Sequence, residues 1–213
     1  MIILSAIEKP SDIKDRTEII VMLDTQLILA NYGMPALLKL KPSNLININK
    51  KKFAESGMLQ KLQSEAGHFA CKTFILYENQ NMVNLLVYNE EYMITVLESE
   101  DNKHYLRSAG YDIQGDCLNN ILSKLKSKLE QYHTQDRREA TCFPHEIGIL
   151  LGYPLRDVVD FVRYGGKNYL LSGCWKVYHD PEKALKIFEK FWNVRESAVR
   201  GLREGRNLKD LFL

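Results

Sequence analysis

The sequence predicts an α+β fold: a small, mainly antiparallel sheet covered by helices. Three observations predict it. Residues 68–77 and 82–88 are rich in strand formers and flank the polar turn Glu78-Asn79-Gln80-Asn81, the pattern of a hairpin over 68–88. Residues 169–178, centred on Gly173-Cys174-Trp175-Lys176-Val177-Tyr178, read as a further strand, expected to join that hairpin with helices over one face of the sheet. Most of the remaining chain carries apolar residues at helical spacing.

Taken in order, residues 1–12 form a loosely tied start ending at Pro10-Ser11-Asp12. A helix is predicted over 13–31, with Ile20, Leu23, Leu27 and Ala30 on one face, stopped at Asn31-Tyr32-Gly33. Residues 34–49 read as extended, broken by Lys41-Pro42-Ser43-Asn44, with Leu45 to Ile48 alternating like a strand. A helix then runs over 50–66, and two short ones over 90–100 and 104–109. Residues 114–132 form a strongly periodic helix with Leu118, Ile121, Leu122, Leu125, Leu129 and Tyr132 in one stripe. Residues 143–164 read as a helical hairpin. Pro144 lies in its first turn, Gly152 at the break, and Val158, Phe161 and Val162 make the buried stripe of its second helix. Gly173 marks a bulge or a close approach of another backbone or ligand. Asp180-Pro181 opens the last helix, 181–204, stopped by Gly205. An apolar tail, Leu208, Leu211, Phe212 and Leu213, must dock or join copies of the chain.

Length and composition bound the function. The 213 residues suit one domain, with the helical hairpin embedded in it. A net charge of +2 makes no case for a nucleic-acid or membrane partner on bulk charge. The four cysteines, Cys71, Cys117, Cys142 and Cys174, are far apart and form no C-x-x-C, so neither a disulfide framework nor a zinc ribbon is expected. No basic region followed by an apolar run opens the chain, and no run reaches the ~18 apolar residues of a membrane helix. The expected location is the cytoplasm.

The densest chemistry lies in Phe143-Pro144-His145-Glu146-Ile147-Gly148-Ile149-Leu150-Leu151-Gly152-Tyr153-Pro154. His145-Glu146 looks like the opening of H-E-x-x-H, but Ile149 stands where the second metal-binding His belongs, so a zinc protease is set aside. The spacing also resembles a helix-turn-helix. In its second helix, however, Asp157 and Asp160 offset Arg156 and Arg163 on the face that would meet phosphate. Cys142-x-x-His145 places a sulfur and an imidazole near a helix start, where a metal or a nucleophile can be served. The plain reading of Glu146 is a carboxylate at a helix start. Lys41, Ser43 and Asn44 read either as a turn or as donors around an anionic ligand.

The central stretch, Gly173-x-Trp175-Lys176-Val177-Tyr178, Lys41-Pro42-Ser43-Asn44-Leu45 and Gly205-Arg206-x-Leu208 together resemble an uncharacterised family of cytosolic proteins from anaerobic Firmicutes, classed as a domain of unknown function. The resemblance implies a single domain of this size and supplies no reaction. It leaves His145, Glu146, Lys41, Asn44, Trp175, Lys176 and Tyr178 as the family-like polar set, with Cys142 and Cys174 outside it. The leading expectation is a protein that binds a small molecule or a metal ion, with its being an enzyme left open. His145 and Glu146 are the acid/base or ligand pair, joined by Cys142 if a transition metal is the cofactor. Lys41, Asn44, Trp175, Lys176 and Tyr178 are the ligand-binding set. A helix-turn-helix nucleic-acid or regulatory module and a protein-interaction module are the alternatives.

Overall fold

The computed structural model describes residues 25–54, 57–134 and 142–213. In chain order these give α1 (Thr25–Tyr32), α2 (Met34–Leu37), β1 (Ser43–Asn49), α3 (Lys50–Phe53), α4 (Met58–His68), β2 (Cys71–Glu78) and β3 (Met82–Asn89). Then follow α5 (Glu90–Glu98), α6 (Glu100–Ser108), α7 (Cys117–Thr134), α8 (Ile147–Leu150), α9 (Leu155–Arg163), β4 (Leu171–Ser172), β5 (Lys176–Val177), α10 (Pro181–Arg203) and α11 (Leu208–Phe212). The class is α+β, as expected.

The main sheet is antiparallel with order β1-β3-β2. Its hairpin is the predicted one, closed where Asn79 Oδ1 accepts from the Asn81 and Met82 amides at 2.8 and 2.9 Å. The third strand differs from the expectation. It is β1, paired with β3 from Ser43–Tyr88 to Asn49–Met82, and not the segment 169–178. With β1 on one side of β3 and β2 on the other, the central strand has no free edge. Residues 169–178 instead fold on themselves. The Gly173 amide donates to Trp175 O at 3.0 Å, and β4 pairs with β5 in a separate two-stranded ribbon.

Helices cover both faces of the sheet rather than one, and β3 carries the signature. Leu85 and Val87 point into a core with Ile46, Ile48, Leu62 of α4, Leu29 of α1 and Ala198 of α10. Leu86 and Tyr88 point the other way, against Met93 of α5, Leu106 of α6 and Ile121, Leu122 and Leu125 of α7. A strand buried on both faces loses the alternation of apolar and polar residues. That is why Val83-Asn84-Leu85-Leu86-Val87-Tyr88 is nearly all apolar. A third core, Trp175, Val177, Ala184, Phe188 and Phe191, joins the β4–β5 ribbon to α10.

Two smaller expectations are corrected. Residues 34–37 are helical, and the strand begins only at Ser43. The helix over 50–66 is two helices, because Gly57 takes φ +82°, a conformation outside any right-handed helix. The apolar tail docks on its own chain, one of the two outcomes expected of it. Leu208 is fully buried, Leu211 and Phe212 pack against the same core, and Leu213 alone stays open. Of the helix predicted over 13–31, the first part, with Ile20 and Leu23, lies outside the described residues. The rest ends where predicted, at Tyr32. Among the described residues no helix is long and apolar enough to cross a membrane.

Candidate functional site

Lys41 ends a tight turn after α2 and precedes β1, and its side chain is buried. Two features of the turn hold it there. Ser43 Oγ donates to Leu150 O at 2.6 Å, and Gly152, at φ +74°, lets the α8–α9 turn lie directly on Pro42. A Cβ on Gly152 would stand 2.5 Å from Pro42 Cδ, so no other residue fits. The Lys-Pro-Ser-Asn segment and the Leu-Gly-Tyr segment are thus one assembly.

The Lys41 ammonium lies 5.3 Å from the Tyr153 ring centroid and 5.8 Å from that of Phe191. Among the described residues it makes no hydrogen bond and no ion pair. Burial pulls its pKa from the ordinary 10.5 down to about 8, opposed by the neighbouring Cys174 sulfur. Burial pushes the Cys174 thiol up to about 11, opposed by Lys41, and raises the Tyr153 phenol as well. These groups line a cavity of about 80 Å³ together with Asn44 of β1, Tyr32 of α1, and Trp192 and Arg195 of α10. Among the described residues the cavity wall carries two cations, Lys41 and Arg195, and no carboxylate. Arg195 Nη2 donates to Asn31 Oδ1 at 3.0 Å, which fixes the guanidinium. Asn44 Oδ1 accepts from the Ala36 amide at 3.0 Å, which leaves its NH₂ group without a partner among the described residues.

A model for the family described as "Protein of unknown function (DUF3793)" matches residues 29–212. The chain belongs to this family. No curated protein and no solved structure matches it. The match spans every residue of the cavity wall, so the cavity lies wholly within the family domain.

The third family-like segment reaches the same cavity through Asp157 of α9. Its Oδ2 accepts from Trp175 Nε1 at 2.8 Å, and its Oδ1 from the Tyr178 and His179 amides at 2.9 and 3.0 Å. This carboxylate pins the β4–β5 ribbon. Trp175 then stacks on Tyr153, ring centroids 5.3 Å apart, and Cys174 is delivered to the cavity wall. Asp160, one turn on, accepts from Arg163 and His179 at 3.0 and 2.8 Å. Arg156 Nη2 stands 3.2 Å from His179 Nδ1 and can only donate, so that nitrogen is the acceptor and Nε2 carries the proton toward Asp160. The face of α9 that holds both aspartates is therefore turned inward, where the sequence reading had Phe161 and Val162. Val162 is in fact 47 % exposed and Asp157 only 2 %. Neither aspartate nor Arg195 was anticipated. The one available signal was Trp175, whose buried indole N–H requires an acceptor.

The other sequence candidates stand apart from the cavity wall. Glu146 is buried and engaged by Lys128 Nζ at 2.6 Å, which also donates to Ala109 O at 2.8 Å and lies over the Tyr111 ring. His145 sits between the Phe143 and Phe161 rings, centroids 5.2 and 5.0 Å away, and burial lowers its pKa against the opposing pull of Glu146. Cys142 is exposed. Among the described residues no three His, Cys, Asp or Glu side chains are placed to hold a metal ion, so His145, Glu146 and Cys142 are not drawn into a three-ligand centre. Lys176 Nζ donates to Gly166 O at 2.5 Å beneath Tyr169. Tyr178 stacks on Tyr164, with its hydroxyl buried and without a partner among the described residues. Of the expected ligand-binding set, Lys41 and Asn44 line the cavity, Trp175 backs it, and Lys176 and Tyr178 support the ribbon.

Proposed function

We propose that this protein binds a small anionic molecule in the cavity at Lys41. The observation that carries the reading is a buried ammonium with no counter-charge among the described residues, beside a second cation, on a cavity wall whose described residues include no carboxylate. An uncompensated buried charge is unfavourable unless something pairs with it. A ligand carboxylate or other oxyanion supplies that pairing, with Arg195 and the Asn44 amide as further donors and the aromatic wall excluding water. A volume of about 80 Å³ suits a ligand of a few heavy atoms. The location proposed is the cytoplasm, which suits four cysteines that are all free thiols.

The helix-turn-helix alternative draws less support. Its first helix is only four residues long, and its second turns Asp157 and Asp160 toward the β4–β5 ribbon. The test is native mass spectrometry of the protein as purified, followed by calorimetric titration with acetate, pyruvate, phosphate and sulfate. The expected result is saturable one-to-one binding of at least one anion, lost in Lys41→Met. No saturable heat from any of the four, with an apo mass, overturns the proposal. Retention on DNA that falls steeply with salt would favour the alternative.

A further inference from the structure

We propose that Lys41 is a nucleophile, and that the ligand of this cavity is a small 2-oxo acid held as an imine on its Nζ. This rests on the reading of the cavity as an anion site and names the class of anion. Geometry is the first support. A lysine meant only as a counter-ion is commonly fixed by hydrogen bonds to neighbouring groups, whereas Lys41 Nζ has none among the described residues and lies by the Tyr153 and Phe191 rings, with the Cys174 thiol nearby. An amine in an apolar, aromatic setting keeps a usable fraction of its neutral, nucleophilic form. With its pKa at about 8, roughly one-fifth of the amine is neutral at pH 7.4, against under about one part in a thousand for an exposed lysine.

The second support is the division of labour on the wall. Lys41 attacks in its neutral amine form, and the other basic group stays charged at every pH. Arg195, held by Asn31, is always protonated and supplies a fixed partner for the carboxylate of the 2-oxo acid. The cavity volume of about 80 Å³ has room for a three-carbon acid. Tyr153 supplies a phenol at the same wall that burial keeps protonated through the neutral range, so it can donate a proton as the carbinolamine loses water.

The step balances without a redox partner. The Nζ lone pair attacks the ketone carbon, and the carbonyl oxygen takes up a proton. The resulting carbinolamine then loses that oxygen as water, leaving C=N. Amine plus ketone gives imine plus water.

The test is borohydride trapping on the full-length protein with pyruvate at pH 7.5, read by intact mass and peptide mapping. Hydride adds to the imine carbon and fixes a carboxyethyl group on nitrogen. The expected result is one adduct per chain, on Lys41, formed at least tenfold faster than on any other lysine. Lactate, which has the carboxylate but no ketone, should suppress it competitively. Adducts spread over the exposed lysines with Lys41 unmodified overturn the inference. In that event, saturable binding of acetate or lactate shows that the anion site stands and only the nucleophile fails. No binding of any acid removes both. Because the main readout is on the wild type, the inference does not depend on a Lys41 variant folding.

Discussion

Replacing Lys41 by Met should stabilise the ligand-free protein, a reversal of the usual effect of a buried substitution. Met keeps the length and nearly the volume of the lysine stem while deleting the charge. The depression of the pKa from 10.5 to about 8 corresponds to about 3 kcal/mol of penalty on the charged form in the folded state. The two rings near Nζ lie toward the outer limit of cation–π attraction and return about 1 kcal/mol of that. A net gain of about 2 kcal/mol for Lys41→Met at pH 7 is the expected result.

The pH dependence makes the test specific. In the unfolded chain the amine titrates at 10.5, and in the fold at about 8. Below pH 8 both states are protonated, and the fold carries the whole penalty. Between pH 8 and 10.5 the folded protein gives up its proton first, so the unfolded state binds more protons and stability rises with pH. Above 10.5 both are neutral and the penalty is gone. The other tyrosines and thiols also titrate in this range, so the quantity to follow is the difference between wild type and variant. Urea unfolding at pH 7 should place the variant midpoint about 1 M higher, at an m-value of about 2 kcal/mol/M. By pH 10.5 the two curves should nearly coincide. A variant less stable than wild type at pH 7, or a difference that stays flat with pH, would refute the idea of an uncompensated buried ammonium. A saturating anion should close the gap at pH 7, since pairing relieves the same penalty.

The supporting elements give further tests. Asp157→Asn keeps one oxygen for the Tyr178 and His179 amides but sets an NH₂ against the Trp175 N–H. It should lower the unfolding free energy by about 3 kcal/mol in urea titration, and a loss below about 1 kcal/mol would deny the carboxylate its role as anchor. Glu146→Gln weakens the contact with Lys128 and should lower stability by about 2 kcal/mol, while leaving calorimetric anion binding at the Lys41 cavity within twofold of wild type. Gly173→Ala drives a methyl into the buried Phe188 ring and should lower the thermal midpoint by an amount equivalent to about 2–3 kcal/mol, with reduced anion affinity because Cys174 follows the displaced turn. Deleting residues 208–213 exposes the core beneath Leu208. It should destabilise the protein by about 3 kcal/mol without changing its sedimentation-derived oligomeric state, since α11 covers its own chain.

The sequence made local structure legible wherever a single periodicity or a single turn residue decided the outcome. The β2–β3 hairpin, the leucine and isoleucine stripe of α7 (Tyr132, expected to continue it, is exposed) and the stops at Gly152 and Gly205 are of that kind, and the structure has each of them. It was less legible where the deciding partner lay far along the chain. β1 joined β3 because its alternating Leu45-Ile46-Asn47-Ile48 could feed both cores at once, a fact visible only when helices from both ends of the chain close over the two faces. Asp157 and Asp160 look like surface charges on α9 by composition. They are buried because the β4–β5 ribbon arrives with an indole N–H, two amides and a histidine that need acceptors. The site followed the same rule. His145-Glu146 drew attention as adjacent reactive types, yet neighbours in sequence on a helical turn point in different directions. Glu146 meets Lys128 of α7, while His145 meets Phe161 of α9. Lys41 read either as a turn lysine or as a donor to an anionic ligand, with nothing in the sequence to decide between them. Its distinction is created by Gly152 pressing on Pro42, by Phe191 and Arg195 arriving from α10, and by the lack of any acid among the described residues that line its cavity. A missing counter-charge leaves no trace in a sequence that carries nearly equal numbers of acids and bases, and it becomes visible only when the fold fixes which of them meet.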